Sequence, residues 1–535
     1  MQTLFRTMIV YIKGTLLPAS GVIRCEPLGG GLNLLPQWTE KADKRGLDPL
    51  GMQNSGVLLY QSLLPGISNV TLRMRYYGYY CWVSEIYARR GATSDFEAWR
   101  NWVRRAEALY ALVSARAGET GVGGVDWANR RLAAEERVID FAAAASTDPS
   151  QERYLRQSLG VFGGAYYTQM AEMGLFTENR HGIQVATRDL GRRAAGLFAD
   201  AIGADLAKLL RQKIADARVN IRDLDRLEPI TPSQILPEGE ERRFYEVLLF
   251  ARTDAPGEGA ASRAATLSLI LDTARAIEEW PGPEDVRWHL FDPPQDPLPH
   301  RLEAQRLRWE AYQCQDLMQV ASAALLAWAI AIINADGQGQ TLSDIRNEVV
   351  AHLAGHDEGV FARSWHDLRQ SIDPPTFPYQ GQWDDLTGAR IAPAEKAVPA
   401  ITLMAALHQR LRTRPDLAEA AARGLPRRGT ARSLRTELDW LESRETDGVV
   451  DRIADYMIEC VVRRHSWVAM QKLRRQRDYT FLFEQRDGRH FFLAGYQPVA
   501  TTPRLAPAIQ FLADIHLLDE DGLTALGLDA LDTSR

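Results

Sequence analysis

Cysteine is scarce and scattered. The four residues, Cys25, Cys81, Cys314 and Cys460, form no CxxC pair, which excludes a zinc ribbon and argues against a disulfide framework. The glycine-rich stretches GGGLNLLPQW (29–38) and GETGVGGVDW (118–127) lack the GK[ST] ending of a phosphate loop, so ATP hydrolysis is not expected. No GxSxG elbow, kinase signature or HExxH order occurs. Strand-like alternation is rare, no strand–helix alternation supports a doubly wound sheet, and no repeat of fixed period is present. Nor is one sign of charge in excess: 63 basic and 69 acidic residues leave a net charge of -6. The chain as a whole is therefore not a polycation.

What remains is an ordinary globular composition, 45% apolar and 25% charged, in a chain too long for one hydrophobic core. The charge is uneven, about +5 over residues 1–120 and about +5 over 401–500, around an acidic middle. Apolar residues recur at helical spacing over 95–116, 132–144, 188–216, 262–279, 301–335, 396–412 and 449–476. Proline-rich breaks at 227–241 and 373–393 divide the chain into three expected units: a helical one (1–226), a middle helical one (241–372) and a C-terminal one (394–535). The fold class is mainly α.

Two segments, 168–200 and 504–527, read as helix, tight hairpin and a new helix capped by threonine, the order of winged-helix modules. Between them, YTFLFEQRDGRHFFLAGY (479–496) reads as a small β-hairpin turning at Arg486-Asp487-Gly488. The uncharged run LMQVASAALLAWAIAIINA (317–335) is long enough to span a bilayer, but Gln319, Ser322 and its many alanines fit a buried central helix better. The N-terminal apolar stretch carries Arg6 and Lys13 and makes a poor signal peptide. A cytoplasmic protein without membrane contact is expected.

Three constellations are candidates for chemistry or binding. SDIRNEVVAHLAGHDEG (343–359) opens with a capping box from Thr341 and Asp344 and closes near Gly355. Its Arg346, Asn347 and His352 resemble the arginine–polar–x4–histidine signature of HEPN ribonucleases. That resemblance implies a metal-independent RNA cleavage in a dimer, with histidine as general acid–base and arginine stabilising phosphate charge. A metal site is not expected there: Glu348, His352 and His356 are spaced by four, but Leu353 replaces the zincin glutamate and Gly355 should break the helical face. The second constellation is RRHSWVAMQKLRRQRDY (463–479), where Arg463, Arg464, Lys472, Arg474, Arg475 and Arg477 can grip phosphates or answer a helix dipole. The third is Arg73 and Arg75, set among the tyrosines of LLPGISNVTLRMRYYGYYCW (63–82), on a helix expected to start at Val70 after Ser68 or Asn69. They too are candidate nucleic-acid contacts.

LDPLGMQ (47–53), the 63–82 stretch, RRAEALYAL (104–112) and GGAYYTQM (163–170) resemble a family of uncharacterised bacterial proteins encoded near phage-defence and mobile-element genes. The resemblance implies a defence role and assigns no catalytic residue. The leading expectation is a non-enzymatic accessory or scaffold subunit, without cofactor, that binds partner proteins and DNA or RNA and can self-associate. The alternatives are the HEPN-like ribonuclease and an assembly factor without nucleic-acid contact.

Overall fold

The computed structural model describes residues 48–534 apart from 92–93, 135, 147, 149, 255–256, 258, 295–296, 357–360 and 428–429. Cys25, the glycine stretch 29–38 and the apolar N-terminus lie outside the described residues. The structure is about 63% helical with sheets of two or three strands, the mainly α class read from the periodicity. Pro49–Arg535 form one compact unit.

Its axis is the long helix His300–Asn334, about 50 Å from end to end at 1.5 Å per residue. By length and composition this helix could cross a membrane, yet 94% of its most apolar window is buried inside the protein. Small residues let neighbours approach it closely, and Gln53–Leu63, Ala260–Ile277, Pro283–Phe291, Ala397–Thr413 and Pro415–Gly424 all pack against it. Two of its buried carboxylates are held by partners from other elements. Glu310, fully buried, receives Arg306, Arg410 and Arg414, and Asp316 receives Arg287 and the Thr501 hydroxyl.

The tyrosines of the signature stretch lie on the helix Tyr76–Ala88. This helix starts six residues later than its sequence suggests. The Leu72 and Arg73 amides donate to the Tyr166 hydroxyl, and the Met74 amide donates to Asp514. Tertiary acceptors thus take the donors that a helix start would have left to Ser68 or Asn69. Tyr76 packs on Tyr110 and Tyr166 at ring separations of 4.7 and 4.6 Å, contacts each worth about 0.5–1.5 kcal/mol beyond burial. Gly78 lets the Tyr245 hydroxyl through, since a Cβ there would stand 2.2 Å from it.

A carboxyl sits inside this aromatic core. Glu107 accepts from the Tyr80 hydroxyl (2.7 Å) and the Phe162 amide (2.6 Å). Gly160, at φ +57°, lets the 160–162 loop close over it, because a Cβ would lie 1.8 Å from the carboxyl oxygen. Burial pushes the Glu107 carboxyl up to about 8. Stability carried by its neutral form is full below the ordinary carboxyl range and is lost as pH rises through about 8. Glu107→Gln keeps a neutral acceptor and is expected to flatten the fall in thermal midpoint between pH 6 and pH 8.5. Parallel pH profiles for the two proteins would refute this reading.

Elsewhere the structure corrects local expectations. Residues 132–144 are not one helix: the helix Val125–Ala133 ends there, and Val138–Asp140 pairs antiparallel with Arg218–Asn220. The run 188–216 breaks at Gly203 (φ +84°) into Leu190–Ile202 and Ala204–Asp216. The break 227–241 holds two 3-10 turns that Arg75 fastens by donating to the Pro229 and Thr231 carbonyls. Both helix–hairpin–helix segments form, with hairpins at Phe176–Glu178/Gln184–Ala186 and Leu518–Asp519/Gly522–Leu523. Their second helices pack inward, Leu190–Ile202 on the tyrosine helix and Ala525–Ser534 on Ala260–Ile277. The hairpin forms as Phe483–Arg486/Arg489–Phe492; its turn is Asp487-Gly488, both with positive φ, while Arg486 belongs to the strand, and Gln340–Thr341 adds a third strand.

Candidate nucleic-acid interface

The helix Arg463–Gln476 continues a π-helical segment, Met457–Val462. One face is anchored. His465, Val468 and Ala469 are buried; His465 bonds the Pro49 carbonyl through Nδ1 and accepts the Leu482 amide at Nε2. Burial pushes His465 down to about 4, so it serves as a neutral strut between the helix and the hairpin strand beyond.

The opposite face is open. Arg463, Trp467, Met470 and Arg474 follow the spacing i, i+4, i+7, i+11, which puts them on one stripe. All four are exposed, Trp467 by 40%. Arg475 in the last turn and Arg477 just past the helix end extend the exposed cations, and Tyr479, equally exposed, packs at a tilt against Phe481 with ring centroids 5.2 Å apart. Residues 463–477 contain six cations and no carboxylate. Arg463 pairs with Glu459 one turn earlier. Arg464 is committed to the fold: it donates to the Leu50 and Thr430 carbonyls, and its guanidinium lies over the Trp467 ring at 4.5 Å. Lys472 is half-buried. The apolar side chains that complete this surface, Trp467, Met470 and Tyr479, escape a reading by charge alone; the helical interval between Arg463, Trp467, Met470 and Arg474 is the signal that finds the two on the helix.

Arg477 ends the helix in the left-handed region at φ +54°, where glycine is the unstrained choice. Arg477→Gly is expected to stabilise the protein by roughly 0.5–1 kcal/mol in urea unfolding while lowering affinity for polyanions. A destabilised variant would show that the arginine has a structural task here.

The other candidates lie elsewhere. Arg73 and Arg75 are buried and bonded to protein. Arg73 holds Asp514 (3.0 Å) and Glu119 (2.8 Å), and Arg75 is bidentate to Glu241 at 3.2 and 3.0 Å. Both therefore stand apart from the arginine stripe.

Arg346, Asn347 and His352 share the helix Leu342–Ala354, capped by Thr341 and Asp344 as its sequence indicates. They do not converge. Arg346 is drawn to Asp455 (3.0 Å) and Asp451 (2.8 Å), Asn347 is exposed, and His352 packs on Trp328 and His356. Six residues along a helix separate Arg346 from His352 by about 120°.

Cys81, Cys314 and Cys460 are buried free thiols, and burial pushes Cys314 and Cys460 up to about 12, far from a reactive thiolate. Among the described residues no three ligating side chains gather as a metal site. Compared with family models, curated proteins and solved structures, the chain matches none.

Proposed function

We propose that this chain is a non-catalytic accessory subunit that holds single-stranded nucleic acid on the face of the helix Arg463–Gln476, in a cytoplasmic bacterial defence assembly. The observation that carries the binding role is the exposed stripe in which Arg463 and Arg474 bracket Trp467 and Met470, with no carboxylate between residues 463 and 477. Exposed rings beside arginines offer stacking to unpaired bases, and the arginines offer phosphate contacts independent of sequence. The defence setting rests on the resemblance of the signature stretch.

The test is fluorescence anisotropy with a labelled single-stranded oligonucleotide and its duplex, in DNA and RNA forms, between 50 and 200 mM salt. Neutralising Arg474, Arg475 and Arg477 together is expected to weaken single-strand binding at least about tenfold and reduce the salt slope by about 2. Trp467→Ala should cost about 1–3 kcal/mol of binding. Absence of binding at 50 mM salt would overturn the proposal. Preference for the duplex would reject the stacking mode while leaving the cationic surface in place.

A further inference from the structure

The end of the helix Leu342–Ala354 holds a pair of histidines that nucleic-acid binding does not use. Gly355 was expected to turn the chain away and part His356 from His352. Instead Gly355 keeps right-handed backbone angles (φ -81°, ψ -9°), and the His356 amide donates to the Leu353 carbonyl. The helical path therefore continues for one more residue. His356 comes down beside His352, with the two Nε2 atoms 3.1 Å apart and the rings edge to face.

We infer that His352 and His356 form a two-imidazole chelate for a divalent transition-metal ion, with Cu2+ preferred over Ni2+ and Zn2+. Two nitrogens each about 2.05 Å from one ion stand about 2.9 Å apart at a right angle and about 3.4 Å apart at the tetrahedral angle. The observed separation falls between these limits. His352 also bonds the Ala394 backbone. With Nε2 facing His356, the ring N–H left for that carbonyl is Nδ1–H, so the Nε2 lone pair points at the neighbouring ring. A backbone carbonyl holding the far ring nitrogen is the usual second partner of a ligating histidine.

The pair is also held in place. The buried Trp328 ring backs His352 at a centroid distance of 5.0 Å, and Arg346 ties the same helix to Asp451 and Asp455. In the metal-free pair, a single proton on His356 Nε2 lies between the two nitrogens. An ion takes its place when that proton moves to Nδ1 of the same exposed ring, so both ligands stay neutral and no redox partner is required. Among the described residues no third ligating side chain joins the pair. Imidazole donors and the order of divalent affinities place Cu2+ first.

The experiment titrates the full chain with CuCl2, followed by electron paramagnetic resonance and tryptophan fluorescence. One site with a two-nitrogen copper spectrum is expected, together with quenching that Trp328→Phe reduces. His356→Ala, a change at an exposed side chain, should weaken this site at least about tenfold and remove the two-nitrogen signal; His352→Gln should do the same. The chain has ten histidines, so the difference from the variants is the quantity read. Equal copper stoichiometry and affinity in wild type and His356→Ala would overturn the inference.

Discussion

Glu310→Ala is expected to destabilise the protein by about 3–5 kcal/mol, a large share of the roughly 5–15 kcal/mol that holds a folded domain together. Glu310 is fully buried on the long helix and takes Arg410 at 2.7 Å, Arg306 at 3.1 Å and Arg414 at 3.5 Å. Arg306 keeps Glu303 and Arg414 keeps Asp416 when Glu310 is removed. Among the described residues, Arg410 keeps the Phe291 carbonyl and its contacts with the Phe291 and Tyr379 side chains, all of them uncharged. A guanidinium left in that position has lost its counter-charge without regaining water, and this is the source of the cost. The companion variant Glu310→Met/Arg410→Met removes both charges and should recover much of the loss. Urea unfolding midpoints at constant m-value measure both. If the double variant were as unstable as the single one, packing rather than charge would dominate at this position.

Asp514→Ala is expected to cost a similar 3–5 kcal/mol and to loosen the C-terminal segment specifically. Asp514 accepts Arg73 Nε at 3.0 Å, the Met74 amide at 2.8 Å and Gln510 at 2.9 Å. It therefore neutralises a buried cation and caps the approach to the tyrosine helix at once. Glu119 and the Thr120 carbonyl still hold the far side of Arg73 in the variant, so the tyrosine helix should survive while Leu505–Ser534 opens. Limited proteolysis reads this directly: cleavage after residue 500 should appear in Asp514→Ala at protease levels that leave wild type intact. Uniform cleavage along the chain would instead indicate global unfolding.

The parts of this fold that are legible in the sequence are those decided within a few residues. The capping box of Thr341 and Asp344, the Asp487-Gly488 turn and the burial of the uncharged run 317–335 all follow from local chemistry. The start of the tyrosine helix does not, because its competing acceptors, Tyr166 and Asp514, come from far along the chain. The strand Val138–Asp140 is hidden for the same reason: its partner Arg218–Asn220 decides its conformation. At the candidate interface the cations are plain in the sequence, whereas the buried fate of Arg73 and Arg75 depends on Glu241 and Asp514, which no spacing rule brings near them. The histidine pair turns on a finer point. Glycine permits a left-handed exit from a helix, and Gly355 does not take it.

The Arg73–Asp514 pair spans 441 residues, which has a consequence for how the chain is made. At 5–20 residues per second, on the order of 20 to 90 seconds separate the synthesis of the two partners. Glu119 emerges soon after Arg73 and can screen it in the meantime. Until Asp514 leaves the ribosome, however, the Met74 amide and half of the Arg73 guanidinium have no native acceptor. The signature stretch, near the beginning of the described chain, is therefore among the last parts to reach its final environment during translation.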